Sequence, residues 1–166
     1  MTPFEQVISL DTSDLESAPY EVNANGVRKA FLLLPYDMTI FKQVLVDALN
    51  AHDYDALRLM MDKSLMIASW QSEGSAYDVD LAIEQLKLNH LNANQPITAE
   101  FDKDLTTLPG GTDPFSVLGL DVGPNHALFV SGWGPDGNDE AILYMNYTLD
   151  GTLYWLGVLV AKDGFA

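Results

Sequence analysis

Three histidines, an arginine and scattered carboxylates are the side chains of this sequence that can do chemistry near neutral pH, and their spacing limits what that chemistry is. His52, His90 and His126 share no HxH or HxxxH spacing, so no metal site and no bound cofactor are expected. No cysteine is present, which excludes thiolate chemistry and disulfides. "DGND" (136–139) sets acids beside a glycine. It lacks the acidic ladder and terminal glutamate of an EF-hand loop, and reads as a hairpin turn. "GWG" (132–134) lacks the third glycine and following helix of a dinucleotide fingerprint, and there is no P-loop or nucleophile elbow. Arg58 has Asp55 one turn before it, the spacing of a surface ion pair, with a site role as the alternative. Glu73, Asp62 and His90 remain as candidate acids or bases. His90 ends a helix beside its apolar stripe, where it meets either the helix-end carbonyls or a cavity mouth. His52 falls in an interhelical turn and is expected to be exposed.

Composition narrows the partners. The 24 acidic against 8 basic residues give a formal charge of −16. Such a surface repels phosphate backbones and anionic headgroups, so neither nucleic acid nor membrane is an expected partner. With 166 residues, 48% of them hydrophobic, the chain has the size and apolar content of one domain with one core. "AFLLL" (30–34) is too short for a membrane span or a signal h-region. Nothing marks export, so the cytoplasm is the default compartment, and a trimmed leader would leave the same sequence.

The elements that must carry these side chains start at Thr39. Ile40, Phe41, Val44, Leu45, Ala48 and Leu49 form one wide apolar stripe on a helix. Asn50 is placed to end it in a left-handed turn, and Asp53 is placed to cap the next helix, with Asp55 in its positive first turn. Tyr54, Leu57 and Met61 share a face of that second, short helix. A strand of about six residues is expected within "SLMIASWQSEG" (64–74), ended by Ser-Glu-Gly. A third helix follows over 78–91, capped by Asp78, with Val79, Ala82, Ile83 and Leu86 buried. The remainder reads as strands: 97–101, 126–133, 140–149 and 152–161, separated by a Gly/Pro-rich loop (105–115) and by Asp-Gly turns. Gly132 and Gly157 interrupt strand patterns, where a bend or bulge is the usual cause. Residues 1–37 form an N-terminal extension that adds one or two strands or covers an edge; 38–166 form the domain.

The order helix, short helix, strand, helix, then antiparallel strands resembles the nuclear-transport-factor-2-like superfamily, which includes ketosteroid isomerases and SnoaL-like cyclases. The similarity is clearest across "LVDALNAHDYDALRLMMDKSLMI" (45–67). "SGWGPDGNDEAILYMN" (131–146) and "YWLGVLVAKDGF" (154–165) resemble uncharacterised bacterial members. The resemblance implies an α+β, cystatin-like fold: a cone-shaped, strongly curved antiparallel sheet with three helices packed on its concave side. It also implies a cavity between sheet and helices, and a homodimer formed through the sheet face. Ketosteroid isomerases need a carboxylate base and a second, protonated acid. By the resemblance those positions fall near Ser69 and Met145, neither of which bears a carboxyl. Limonene epoxide hydrolases of this fold set an arginine between two aspartates; here the arginines are Arg28 and Arg58 alone.

Strand alternation groups Ile67, Ser69 and Gln71 on one face against Met66, Ala68 and Trp70 on the other, and Leu143, Met145 and Tyr147 against Ile142, Tyr144 and Asn146. A pocket wall is therefore expected from Tyr54, Arg58, Ile67, Ser69, Gln71, Glu73, His90, Met145, Tyr147 and Trp155, taking a small apolar ligand. An enzyme with a non-standard acid or base, and a dimeric interaction domain with a vestigial pocket, are the competing readings. An apolar wall of this kind is also what an ordinary core looks like.

Overall fold

The computed structural model describes residues 38–70, 74–91, 94–105, 126–149 and 151–165. The readings made above for 1–37, for most of the 105–115 loop, and for Gln71 and Glu73 lie outside those residues. Helix α1, Met38–Asn50, buries Phe41, Leu45, Val46, Ala48 and Leu49 along one stripe, as its spacing predicts. It stops in a paired closure. The His52 N–H donates to the Leu49 carbonyl (3.2 Å), and the Asp53 N–H reaches back to Ala48 (2.9 Å). These two bonds satisfy carbonyls that a helix end otherwise leaves open.

The closure needs one left-handed residue, and that residue is His52 (φ 53°) rather than Asn50. Asn50 stays helical because its carboxamide is used elsewhere. Its Oδ1 accepts from the Ile97 N–H (2.8 Å) and its Nδ2 donates to the Ile97 carbonyl (3.3 Å). One side chain thus reproduces a strand-like pair of bonds and ties the end of α1 to the chain entering the sheet.

Asp53 serves twice. Its backbone closes α1, and its carboxylate accepts from the Ala56 N–H (3.2 Å) to cap helix α2, Tyr54–Met60. Helix α2 leads without a linker into strand β1, Met61–Ser69. Strand β2, Gly74–Asp78, then turns back along β1. This strand is not expected from the sequence, since its "GSAYD" is exposed apart from half-buried Tyr77 and carries no apolar alternation. Asp78 ends β2 and caps helix α3, Val79–Gln85, by accepting from the Leu81 N–H (2.9 Å). Helix α3 runs on as one wider π turn, Leu86–His90, closed by the Leu91 N–H on the Leu86 carbonyl. No helix among the described residues is long and apolar enough to cross a membrane.

Strands β3 (Thr98–Glu100), β4 (Ala127–Trp133), β5 (Asp139–Tyr147) and β6 (Leu153–Ala161) complete a sheet of order β2-β1-β6-β5-β4-β3. The fold is α+β, with helices and strands segregated as expected. One correction concerns the pairing. The sheet is mixed, because β1 and β6 run parallel while the other neighbours are antiparallel. Parallel neighbours need a long crossover, and here everything between β1 and β6 supplies it.

Both faces of the sheet are buried. On the helix side, Leu65, Leu128, Val130, Ala141, Leu143, Met145 and Val158 pack with Phe41, Leu45, Leu49, Leu57, Ile83 and Leu86. On the other side, Ala68, Phe129, Ile142, Tyr144 and Leu159 form a second cluster with Leu105 and Phe165. Over these positions the face away from the helices is buried within the chain itself. Phe165 is brought there by the C-terminal turn, whose backbone N–H groups at Asp163 and Phe165 donate to the carboxylates of Asp139 (3.0 Å) and Glu140 (2.8 Å).

Asn50→Ala removes both bonds to Ile97 and leaves the part-buried Ile97 N–H and C=O without them. Urea denaturation is expected to show a loss of about 1–3 kcal/mol. An unchanged midpoint would mean the tether contributes nothing.

Candidate functional site

The sheet alternation that buries Leu128 and Val130 against the helices places Ala127 and Phe129 on the opposite face. Continued strictly, it would send Trp133 away from the helices. Between Ser131 and Trp133 the register with β5 shifts, Ser131 facing Glu140 and Trp133 facing Asp139. Gly132 is the extra residue of this bulge, with φ +78°. A side chain there would also meet the Pro96 carbonyl oxygen at 3.0 Å. The bulge reverses the facing, and Trp133 joins the helix-side core, fully buried.

A buried indole N–H costs about 1–3 kcal/mol if left without an acceptor. Trp133 finds one at the end of the π turn: its Nε1–H donates to His90 Nδ1 (3.0 Å). A second bond fixes the same residue, the Gly134 N–H donating to the His90 carbonyl (2.7 Å). The two rings lie 5.8 Å apart, tilted by 47°. Single π turns inserted in helices are frequently found at functional sites, and this one carries a titratable group to its last position.

Indole nitrogen can only donate, so Nδ1 must be bare, and a neutral His90 holds its one proton on Nε2. Burial pushes the His90 pKa down to about 4, against the opposing pull of the Asp139 carboxylate. At neutral pH His90 is thus an uncharged imidazole whose lone pair is engaged. It can give a hydrogen bond through Nε2–H, and it cannot accept a proton without losing the Trp133 bond. Gln95, which packs against Gly137, and Pro96, which packs against Gly132, stand beside this pair.

Among the described residues, the other expected wall positions divide between the helix-side core and the surface. Tyr54 is half-buried against the helix-side core, with Lys87 Nζ 4.9 Å over its ring and its phenol pKa raised by burial. Ile67 packs on the same side, and Met145 and Trp155 are fully buried within it. Trp155 satisfies its own indole by donating to the Gly157 carbonyl (2.9 Å). Ser69 is exposed, as is Tyr147, which stands edge-on to His126. Arg58 is exposed and does form an ion pair, but with Asp80 on α3 rather than with Asp55, since the last turn of α2 lies beside the first turn of α3. Asp62 is exposed. His52 is half-buried rather than exposed, and its Nε2 is buried without a hydrogen-bond partner, because the left-handed turn folds its ring toward Tyr54 (6.2 Å). Among the described residues, no group of three His, Asp or Glu side chains is gathered to hold a metal ion. The partnership of Trp133 with His90 is the feature that alternation alone hides; the glycine inside the strand is its sequence signal.

A histidine held neutral by the fold makes stability pH-dependent in a known direction. The folded pKa of about 4 lies below the ordinary value of 6.5, so the unfolded chain binds the proton more readily. Stability from this group is complete above about pH 6.5 and is lost as pH falls through 4. Discounted for partial solvent exposure, the loss should reach about 1–2 kcal/mol near pH 4. Denaturation of wild type and His90→Gln at pH 7 and pH 4.5 isolates it from the carboxylates. The wild type should lose more stability than the variant; equal losses would refute the assignment.

No family model matches the sequence, and no curated protein does. Several solved structures are similar to it. A DUF4783 family protein from Bacteroides ovatus is 10% identical with a TM-score of 0.44, over 71% of this chain and 91% of that one. A nuclear-transport-factor-2-like protein from Cytophaga hutchinsonii is 10% identical with a TM-score of 0.43, over 76% and 98%. ActVI-ORFA from Streptomyces coelicolor is 10% identical with a TM-score of 0.39, over 75% and 93%. Each is a likeness of fold alone.

Proposed function

We propose that this domain binds a small, largely apolar molecule at the His90 end of α3 and holds it without transforming it. The observation that carries the reading is the Trp133–His90 hydrogen bond. It leaves one oriented polar donor at the margin of an interior that, among the described residues, is built from aliphatic and aromatic side chains and buries no charged one. An apolar wall with a few placed polar groups is the usual make-up of a small-molecule site.

The acid–base reading finds less support. General-base chemistry needs a free lone pair on a group titrating near the working pH. His90 has that lone pair engaged and its pKa displaced to about 4. Asp62 stands exposed to solvent.

A thermal-shift screen of apolar and steroid-like compounds tests the proposal. A ligand held at 100 times its Kd stabilises by about 2.7 kcal/mol, which for a domain of this size raises Tm by roughly 5–10 °C. A saturable rise with at least one compound class is expected, and it should weaken in His90→Phe. A panel that never moves Tm would sink the proposal.

A further inference from the structure

We infer that Trp133 makes His90 an obligate hydrogen-bond donor, so that the bound molecule carries an acceptor oxygen, a carbonyl or ether group on an apolar body, at His90 Nε2. The inference rests on the binding reading above and adds the chemical class of the ligand. Its basis is the direction of one bond. An indole N–H has no lone pair to offer, so at 3.0 Å from Nδ1 it enforces one tautomer of the imidazole. The alternative tautomer, or the doubly protonated ring, would set two N–H groups against each other. The His90 backbone is tied as well, its carbonyl accepting from the Gly134 N–H, and turning the ring to exchange its nitrogens would break the Trp133 bond. The ring is half-buried, which leaves it within reach of a guest while its helix stays folded.

The charges nearby are already committed. The Asp139 carboxylate accepts from the Asp163 N–H and lies over Gly134. The Lys87 ammonium, on the same π turn as His90, sits over Tyr54. A neutral acceptor is therefore favoured over a cation or a carboxylate. Trp133 acts here as a positioning residue and His90 as the specificity residue. A site built around a buried hydrogen bond rejects the analogue that lacks the matching group.

Nitrogen-resolved NMR on the protein with 15N-labelled histidine reads the tautomer directly at pH 7. The expected signature is a bare Nδ1 and a protonated Nε2 for His90, giving way in Trp133→Phe to a mixture of both forms. A protonated Nδ1 in the wild type would overturn the inference whether or not the variant folds. Binding is then compared for three probes of one shape: acetylnaphthalene, its hydrocarbon isostere isopropenylnaphthalene, and the cation naphthylethylamine. The ketone should bind about five- to tenfold more tightly than the hydrocarbon, shift the Nε2 proton resonance, and lose that advantage in His90→Phe. Equal binding of ketone and hydrocarbon, or tightest binding of the amine, overturns the inference and leaves the binding reading standing. If none of the three binds and the wider panel never moves Tm, both fall; if only the wider panel binds and its binders lack an acceptor oxygen, the inference alone falls.

Discussion

An extra residue in a β-strand reverses the side on which every later side chain emerges, and in this sheet that reversal happens twice. In β4 it falls at Gly132. In β6 it falls between the partners of Tyr144 and Met145, which face Gly157 and Trp155, so that Leu156 is the residue passed over. Val158 and Val160 face the helices; without the shift the even-numbered residues before them would do so too. With it, Leu153 and Trp155 turn to the helix side instead. Both buried tryptophans thus reach the main core through an irregularity in the ladder, and each then needs an acceptor for its indole N–H. Trp155 takes the Gly157 carbonyl of its own bulge. Trp133, bulged at a residue whose neighbours are occupied, reaches across to a helix.

What it reaches is also displaced from regular geometry. The π turn widens the end of α3 by one residue relative to an α-helix, which sets where the His90 ring and carbonyl stand. The rest of the helical layer is positioned by residues that work in two elements at once. Asp53 closes α1 and caps α2. Asp78 ends β2 and caps α3. Asn50 finishes α1 and holds Ile97. Sharing of this kind leaves little slack between elements, so the bulge in β4 and the turn in α3 meet in one register rather than several.

These dependencies explain what could be read without coordinates. The three helices, the Asp53 and Asp78 caps and the strands β4 to β6 were legible because periodicity and capping chemistry are local. Ile67 against Met66, Ala68 and Trp70 in β1, and Leu143 and Met145 against Ile142 and Tyr144 in β5, fall into the two observed clusters as alternation groups them, since neither set crosses a bulge within its own strand. Gly132 and Gly157 announced irregularities, and both lie at register shifts. The direction of their consequence was not legible: alternation run through Gly132 puts Trp133 on the wrong face. The parallel pairing of β1 with β6 has no local signature at all, and β2 lacks an apolar side to betray it. Of the expected wall, Met145 and Trp155 lie fully buried in the helix-side core and Ile67 packs half-buried against it; in the sequence an apolar strand residue looks the same whether it faces a guest or a neighbour.

The chemistry of the site follows from a competition that the composition alone would have decided the other way. A chain with 24 acids against 8 bases has a field that favours protonated histidine, and Asp139 pulls in that direction. Burial opposes it and prevails, because a half-enclosed imidazolium loses solvation, and charging the ring would also break the indole bond that satisfies Trp133. The fold therefore spends its one strongly shifted titratable group among the described residues on a fixed donor, not on a proton carrier. A neutral donor that cannot reverse its role is suited to giving a hydrogen bond to an acceptor and not to shuttling a proton, since a shuttle must both give and receive within one cycle.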